Sequence, residues 1–148
     1  MKDKAKVWGA FKMKVWKNGI LFDSVAEENL IVDAGFELVQ QLLSSAAADK
    51  HISKIAFGSL ESGEPIQPTA DMTAIPNQYF DKAFDSVTFP SPRSVSFNWS
   101  LLGTEGNGED ISYFGLLNAD DELFAAKARA PLMKTSEFVL EGTWIIHY

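Results

Sequence analysis

The chain has 148 residues, 46% hydrophobic and 22% charged, a composition that fits one globular core and not a disordered segment. It has no cysteine, which excludes disulfides, thiolate metal centres, iron–sulfur clusters and cysteine nucleophiles, and its two histidines make a His-rich metal site a poor expectation. The net charge of −7 opposes binding to nucleic acid, which needs a basic surface.

The charge is unevenly spread. Lys2, Lys4, Lys6, Lys12, Lys14 and Lys17 oppose only Asp3 in the first 17 residues (net +5), while the remainder carries −12. Such asymmetry orients a molecule against a charged partner, or it marks a lysine-rich edge strand protected against aggregation. No apolar stretch reaches the roughly 18 residues of a membrane helix. Lys12 and Lys14 break the run that a secretory signal would need, so no membrane partner and no Sec export are expected.

Phe11, Met13 and Val15 alternate with Lys12 and Lys14, the period of a half-buried strand. Asn18-Gly19 suits a type I′ turn, and Ile20-Leu21-Phe22 resumes the strand, so residues 5–25 are predicted to form a β-hairpin arm. The period then changes. Leu38, Val39, Leu42 and Leu43 fall on one helical face, with Glu37, Gln40 and Gln41 opposite, and Asp33 is placed as N-cap. A helix is predicted over 33–47.

Ile52–Gly58 is a short strand. Residues 59–75, with Gly63, Pro65 and Pro68, read as a long loop, mobile or partner-dependent. Phe84–Phe89 is a strand closed by Pro90-Ser91-Pro92. Val95, Phe97, Trp99 and Leu101 alternate with Ser94, Ser96, Asn98 and Ser100, which predicts one apolar face and one wet face. Strands follow at Ile111–Leu117 and Glu122–Arg129, with turns at 103–110 and 118–121 and a connection over 131–136. Phe138, Leu140, Trp144, Ile146 and Tyr148 share a face of the last strand. The sum is about eight strands and one helix: a single domain over 1–148, an antiparallel β-sandwich with the helix on a flank. Trp99 and Trp144 are expected in its core.

No constellation announces a chemistry. Gly103 to Gly108 is Gly-rich, but Glu109-Asp110 follows, and carboxylates repel phosphate. Glu105, Glu109, Asp110, Asp120, Asp121 and Glu122 lack the spacing of a calcium loop and read as solvated turn residues. No Ser lies in a G-x-S-x-G context. His51, at a helix–strand junction, and His147, pointing away from Trp144 and Tyr148, read as structural. The expectation is a protein that is not an enzyme and carries no cofactor or metal.

The order of segments nevertheless resembles a group of tailed-bacteriophage virion proteins: small tail and baseplate components and the N-terminal domains of tail-collar fibre proteins. The stretches that carry the resemblance are Asn29-Leu30-Ile31-Val32-Asp33-Ala34-Gly35 with Leu38 and Leu42-Leu43, Ile52 to Gly58, and Pro68 to Ile75. Further on they are Ile111 to Asn118, Leu123-Phe124-Ala125-Ala126, and Lys134-Thr135-Ser136 leading into Trp144-Ile145-Ile146. It covers about residues 29–148. It implies a virion structural protein of the tail, baseplate or fibre attachment, assembled in the host cytoplasm and bound to other virion proteins, with further copies of itself in the particle. Two alternatives stand beside it. One is a capsid decoration protein that bridges major capsid subunits. The other is a carbohydrate-binding module in which Trp8, Trp16 or Trp99 stacks on a sugar. The docking element expected from the charge asymmetry is the N-terminal hairpin, with Lys2, Lys4, Lys6, Lys12, Lys14, Lys17, Trp8 and Trp16 as interface residues.

Overall fold

A computed structural model describes residues 7–44, 50–60 and 67–148. Nine antiparallel strands and one helix make up its regular structure, in the order β1 Trp8–Lys17, β2 Ile20–Ile31, α1 Asp33–Leu43, β3 Ile52–Gly58, β4 Gln78–Ala83, β5 Ser86–Ser91, β6 Ser94–Leu101, β7 Asp110–Asn118, β8 Leu123–Met133 and β9 Phe138–His147. They form one sheet in the order β4-β3-β7-β8-β2-β1-β9-β6-β5. The sheet curls on itself into a half-barrel. The expected eight-stranded sandwich is thus corrected to a nine-stranded continuous sheet.

Strand β2 is the reason the sheet is continuous. Its residues 20–29 pair with β1, and Leu30 and Ile31 pair with Ala126 and Ala125 of β8. Beyond that short ladder β2 and β8 diverge, and side chains bridge the gap: Lys127 binds Glu27, and Arg129 binds Asp23 at 3.2 Å. Curling brings the two concave faces together. Phe11 meets Phe114 at 4.9 Å between ring centroids, Phe57 meets Trp99 at 5.7 Å, and Phe11 meets Trp144 edge-on at 5.1 Å. These rings join Met13, Val15, Ile55, Leu101, Ile111, Leu116 and Leu140 in one buried core. Such aromatic pairs add to area burial when their rings are offset or edge-to-face. Trp99 and Trp144 are both buried, as their strand faces predict.

Gly142 makes this packing possible. A Cβ there would sit 2.6 Å from the Trp99 ring, so no other residue leaves room for the indole against β9.

The hairpin turn is at Asn18-Gly19, with φ of 50° and 80°, the positive values a type I′ turn demands. The hairpin is no arm, however. β1 pairs with β2 along one edge and with all ten residues from Phe138 to His147 along the other. The reading of β1 as an edge strand is therefore corrected. Its inner residues join the core, and burial of Phe11, Met13 and Val15 outweighs anything the alternating lysines gain from a free edge.

The strand missed by the sequence is β4. Gln78-Tyr79-Phe80-Asp81-Lys82-Ala83 does not alternate cleanly, and Phe84, read as the start of a strand, instead begins the two-residue link from β4 to β5. Pro131, read as connection, lies within β8, where the ladder to β7 shifts register between Ile111 and Tyr113. Bulges tolerate proline because a ladder bond is already missing.

Helix α1 follows β2 through Val32, which is its N-cap and makes no side-chain cap bond. Asp33 is the first helical residue instead of the cap, and its backbone N–H donates to the Ala70 carbonyl at 2.8 Å. Of the predicted inward face Leu38 is buried, Val39 half-buried, and Leu42 and Leu43 exposed. The predicted end at residue 47 falls outside the described residues. Of the predicted long loop, 61–66 also falls outside them. Of the rest, 67–74 is largely exposed and the two ends are anchored: Ile75 is buried, and the Ser59 carbonyl accepts from Asn77 at 2.8 Å.

Candidate functional site

Alternation on β1 sends the even-numbered residues Trp8, Lys12, Lys14 and Trp16 to the outer face of the sheet. Register sets Lys12 beside Thr143 and Ala26, and Lys14 beside Glu141 and Ser24. Across β9 lie Asn98 and Ser100 of β6. The result is a shallow groove of about 650 Å³ with a mostly apolar lining, in which Val25, Ala26 and Gly142 lie among Ser24, Asn98, Ser100 and Thr143, edged by Lys12, Lys14, Asp85 and Glu141. Two cations and two anions make it electrically balanced. Lys2, Lys4 and Lys6 lie outside the described residues.

Both outer indoles are held in place. Trp8 stacks on His147 with ring centroids 4.1 Å apart, and the Trp16 indole N–H donates to Glu141 at 2.8 Å. Each is half-buried. Trp99 is 2% exposed and cannot meet a sugar, which removes it from the carbohydrate-binding alternative.

The hairpin's far end differs from its face. Lys17 lies 5.7 Å from the Phe22 ring centroid and 5.6 Å from that of Phe138, and the two rings meet edge-on at 5.5 Å. The Asn18 N–H donates to the Glu137 carbonyl. This rigid support holds Ile20, Leu21 and Phe22 out in solvent, 73%, 50% and 55% exposed. The register Lys17–Phe138, Leu101–Leu140 and Asp110–Met133 puts the loops after β6 and β8 at the same end. Exposed Leu102 and Met133 are therefore at the same end of the sheet as the tip, and this end is called the apolar pole below. The sequence shows the I-L-F triplet but assigns it to strand pairing. Nothing in its period says that the turn projects past the core.

Beneath that pole is a lysine that sequence reasoning passed over. Lys134 is fully buried. Its ammonium donates to the Leu102 carbonyl at 2.9 Å, Asn107 Oδ1 at 2.8 Å and the Thr135 carbonyl at 3.1 Å. All three protons are used, which is what a buried ammonium requires. Burial pushes its pKa down, opposed by the Glu105 charge. The Glu105 carboxylate takes the Lys82 ammonium at 2.8 Å and the Leu102 N–H at 2.9 Å, and these bonds hold its pKa below the usual range. The Tyr79 hydroxyl closes the clasp by donating to the Gly106 carbonyl at 2.8 Å. Burial, with help from the Glu109 charge, pushes Tyr79 up to about 12.

The acidic residues weighed for calcium are separated. Glu105, Glu109 and Asp110 lie at the apolar pole, and Asp120, Asp121 and Glu122 at the other end of β7. The second group is bound by lysines: Lys50 to Asp120 and Glu122, and Lys54 to Asp121. Hydrogen bonds to these carboxylates raise both lysine pKa values and lower that of Glu122. Among the described residues no group of three His, Asp or Glu is gathered to hold a metal ion, and no helix is long and apolar enough to cross a membrane. His51 is exposed, and His147 serves as the platform for Trp8.

In comparisons with protein-family models, curated proteins and solved structures, nothing matches the chain.

Proposed function

We propose that the protein is a non-enzymatic structural component of a tailed-bacteriophage virion, placed in the tail, baseplate or fibre attachment and working through protein–protein contacts. The observation that carries this reading is the apolar pole. Ile20, Leu21 and Phe22 stand out in solvent on a hairpin locked by the Lys17 and Phe138 contacts. A domain that holds three large apolar residues exposed on a fixed turn, with Leu102 and Met133 exposed at the same end of the sheet, presents a surface suited to being covered. The resemblance of residues 29–148 to virion proteins supplies the setting. The docking element stays the N-terminal hairpin, but its contact is the tip instead of a free lysine edge.

Immunogold labelling of purified particles with an antibody to this chain tests the reading. Label on the tail or baseplate is expected. Label over the shell would replace it with a capsid decoration role, and particles free of the protein would overturn both. An Ile20→Ser/Leu21→Ser/Phe22→Ser variant should fold, yet fail to enter particles.

A further inference from the structure

Asparagine followed by glycine occurs twice in the chain, at Asn18-Gly19 and at Asn107-Gly108. The pair has a chemistry of its own. The backbone nitrogen of the glycine can attack the side-chain carbonyl carbon of the asparagine, because no Cβ crowds its approach. The other four asparagines precede Leu30, Gln78, Trp99 and Ala119, each with a side chain at that point.

Both pairs are exposed, and both glycines have positive φ, 80° at Gly19 and 98° at Gly108. Exposure and glycine geometry therefore do not separate them, but hydrogen bonds do. At Asn107-Gly108 every reacting group is held. Asn107 Nδ2 donates to the Gly103 carbonyl at 2.8 Å, and its Oδ1 accepts from the buried Lys134 ammonium at 2.8 Å. The Gly108 N–H donates to the Lys134 carbonyl at 2.9 Å.

At Asn18-Gly19 none of them is held. Lys17 and Ile20 form the pair that closes the turn. Among the described residues, the Asn18 side-chain amide has no hydrogen-bond partner and the Gly19 N–H donates to no backbone carbonyl. The space around Gly19 is open, with nothing within 4 Å of where a Cβ would stand.

We propose that Asn18 is a site of spontaneous covalent modification and that Asn107 is protected by the Lys134 clasp. The Gly19 nitrogen loses its proton and bonds to Asn18 Cγ. The Cγ–Nδ2 bond breaks, and ammonia leaves with that proton, closing a five-membered succinimide. Water then opens the ring. Attack at Cγ gives aspartate, and attack at the main-chain carbonyl carbon gives isoaspartate, whose backbone runs through Cβ and Cγ. Either product puts a carboxylate two residues from Ile20. Isoaspartate also lengthens a two-residue turn that depends on its backbone angles, so the apolar tip is displaced. The inference goes beyond the docking role of that tip. Because it is measured on purified protein alone, its failure leaves the virion placement untouched.

Incubation of the purified full chain at mildly alkaline pH, followed by tryptic digestion and mass spectrometry, tests it. Cleavage after Lys17 and Lys50 isolates Asn18 on peptide 18–50, and cleavage after Arg93 and Lys127 isolates Asn107 on peptide 94–127. The mass gain of an amide turned carboxylate should appear in 18–50, with fragment ions placing it at Asn18. Part of the product should accept a methyl group from isoaspartyl methyltransferase. The bonds at Asn107 must open before it reacts, so in the folded chain Asn18 should react about tenfold faster or more. In guanidinium chloride those bonds are gone, and the two sites should run within about threefold of each other. Asn18→Gly leaves a Gly-Gly pair suited to the same turn and should abolish the gain in 18–50 with an unchanged melt. The proposal is overturned if Asn107 keeps pace with Asn18 in the folded chain, if 18–50 gains no mass, or if the gain survives Asn18→Gly. A difference between the sites that persists undiminished in guanidinium chloride would overturn it too, since the fold would then not be its cause.

Discussion

The two faces of β1, β9 and β6 use the same strands for opposite ends. Inward lie Phe11, Trp144, Phe97 and Trp99, closed in by the other half of the sheet. Outward lie Lys12, Lys14, Thr143, Ser96 and Asn98, whose bonds are lateral: Ser96 to Asn98, and Asn98 to Ser86 and Thr88. The wet face expected of β6 is corrected, because Ser94 and Ser96 are buried. The inner face resists change because each ring has several neighbours and no water to replace them. The outer face is replaceable residue by residue, and its value lies in what it can meet. Lys134 shows that charge alone does not assign a residue to one side. It is a lysine inside the molecule, kept there by three acceptors.

The sharpest test of this contrast is in the core. Trp144→Ala or Trp99→Ala should cost about 3–5 kcal/mol in a denaturant melt. Neither indole N–H has a hydrogen-bond partner, so Trp144→Phe should retain most of that stability. Equal losses for Phe and Ala would mean that the N–H, and not the ring, matters.

Next comes the inner lysine. Lys134→Met keeps much of the volume but strands the acceptors of Leu102, Asn107 and Thr135, and should cost about 2–3 kcal/mol. Hydrogen exchange at Gly108, whose N–H donates to the Lys134 carbonyl, should rise with it. A variant as stable as the parent would show that the clasp is held by backbone alone.

Smaller still is the effect of Tyr79→Phe, about 1 kcal/mol at neutral pH for one lost hydrogen bond. Its pH signature is more telling. The folded-state pKa of about 12 lies above the ordinary value near 10, so the folded state holds this proton longer than the unfolded chain does. The resulting stability is whole below pH 10 and disappears as pH rises through 12. The alkaline limb of the stability profile should therefore flatten in Tyr79→Phe.

The smallest change is expected on the outer face. Lys12→Glu with Lys14→Glu should move stability by no more than about 0.5 kcal/mol. A larger loss would mean that the outer face bears on the fold as the inner face does.

Much of this was legible in the alternation of single strands. Phe11-Lys12-Met13-Lys14-Val15 and the Val95-to-Leu101 run each declare an inside and an outside, and Asn18-Gly19 declares its turn. What a period of two cannot state is a strand's neighbours. Nothing in residues 8–17 says that β9 lies along them, and so an interior strand rich in lysine looked like an edge. The apolar tip was missed for a related reason: Ile20-Leu21-Phe22 fits a buried strand until one knows where the core ends. Lys134 was hidden because its environment comes from residues 102–107, far off in sequence. β4 was lost because Tyr79, Phe80 and Lys82 are all half-buried at once, which erases the pattern.

The pairing of β1 with β9 also governs how the molecule comes into being. A chain leaving the ribosome makes β1 and β2 early, yet the second side of β1 stays open until β9 has been synthesised. In that interval the hairpin is a lone two-stranded ribbon, marginal in water, with Phe11, Met13 and Val15 uncovered. Contacts this distant in sequence close slowly. Lys12 and Lys14, in no ion pair among the described residues of the finished sheet, then act as gatekeepers that keep one nascent hairpin from zipping onto another.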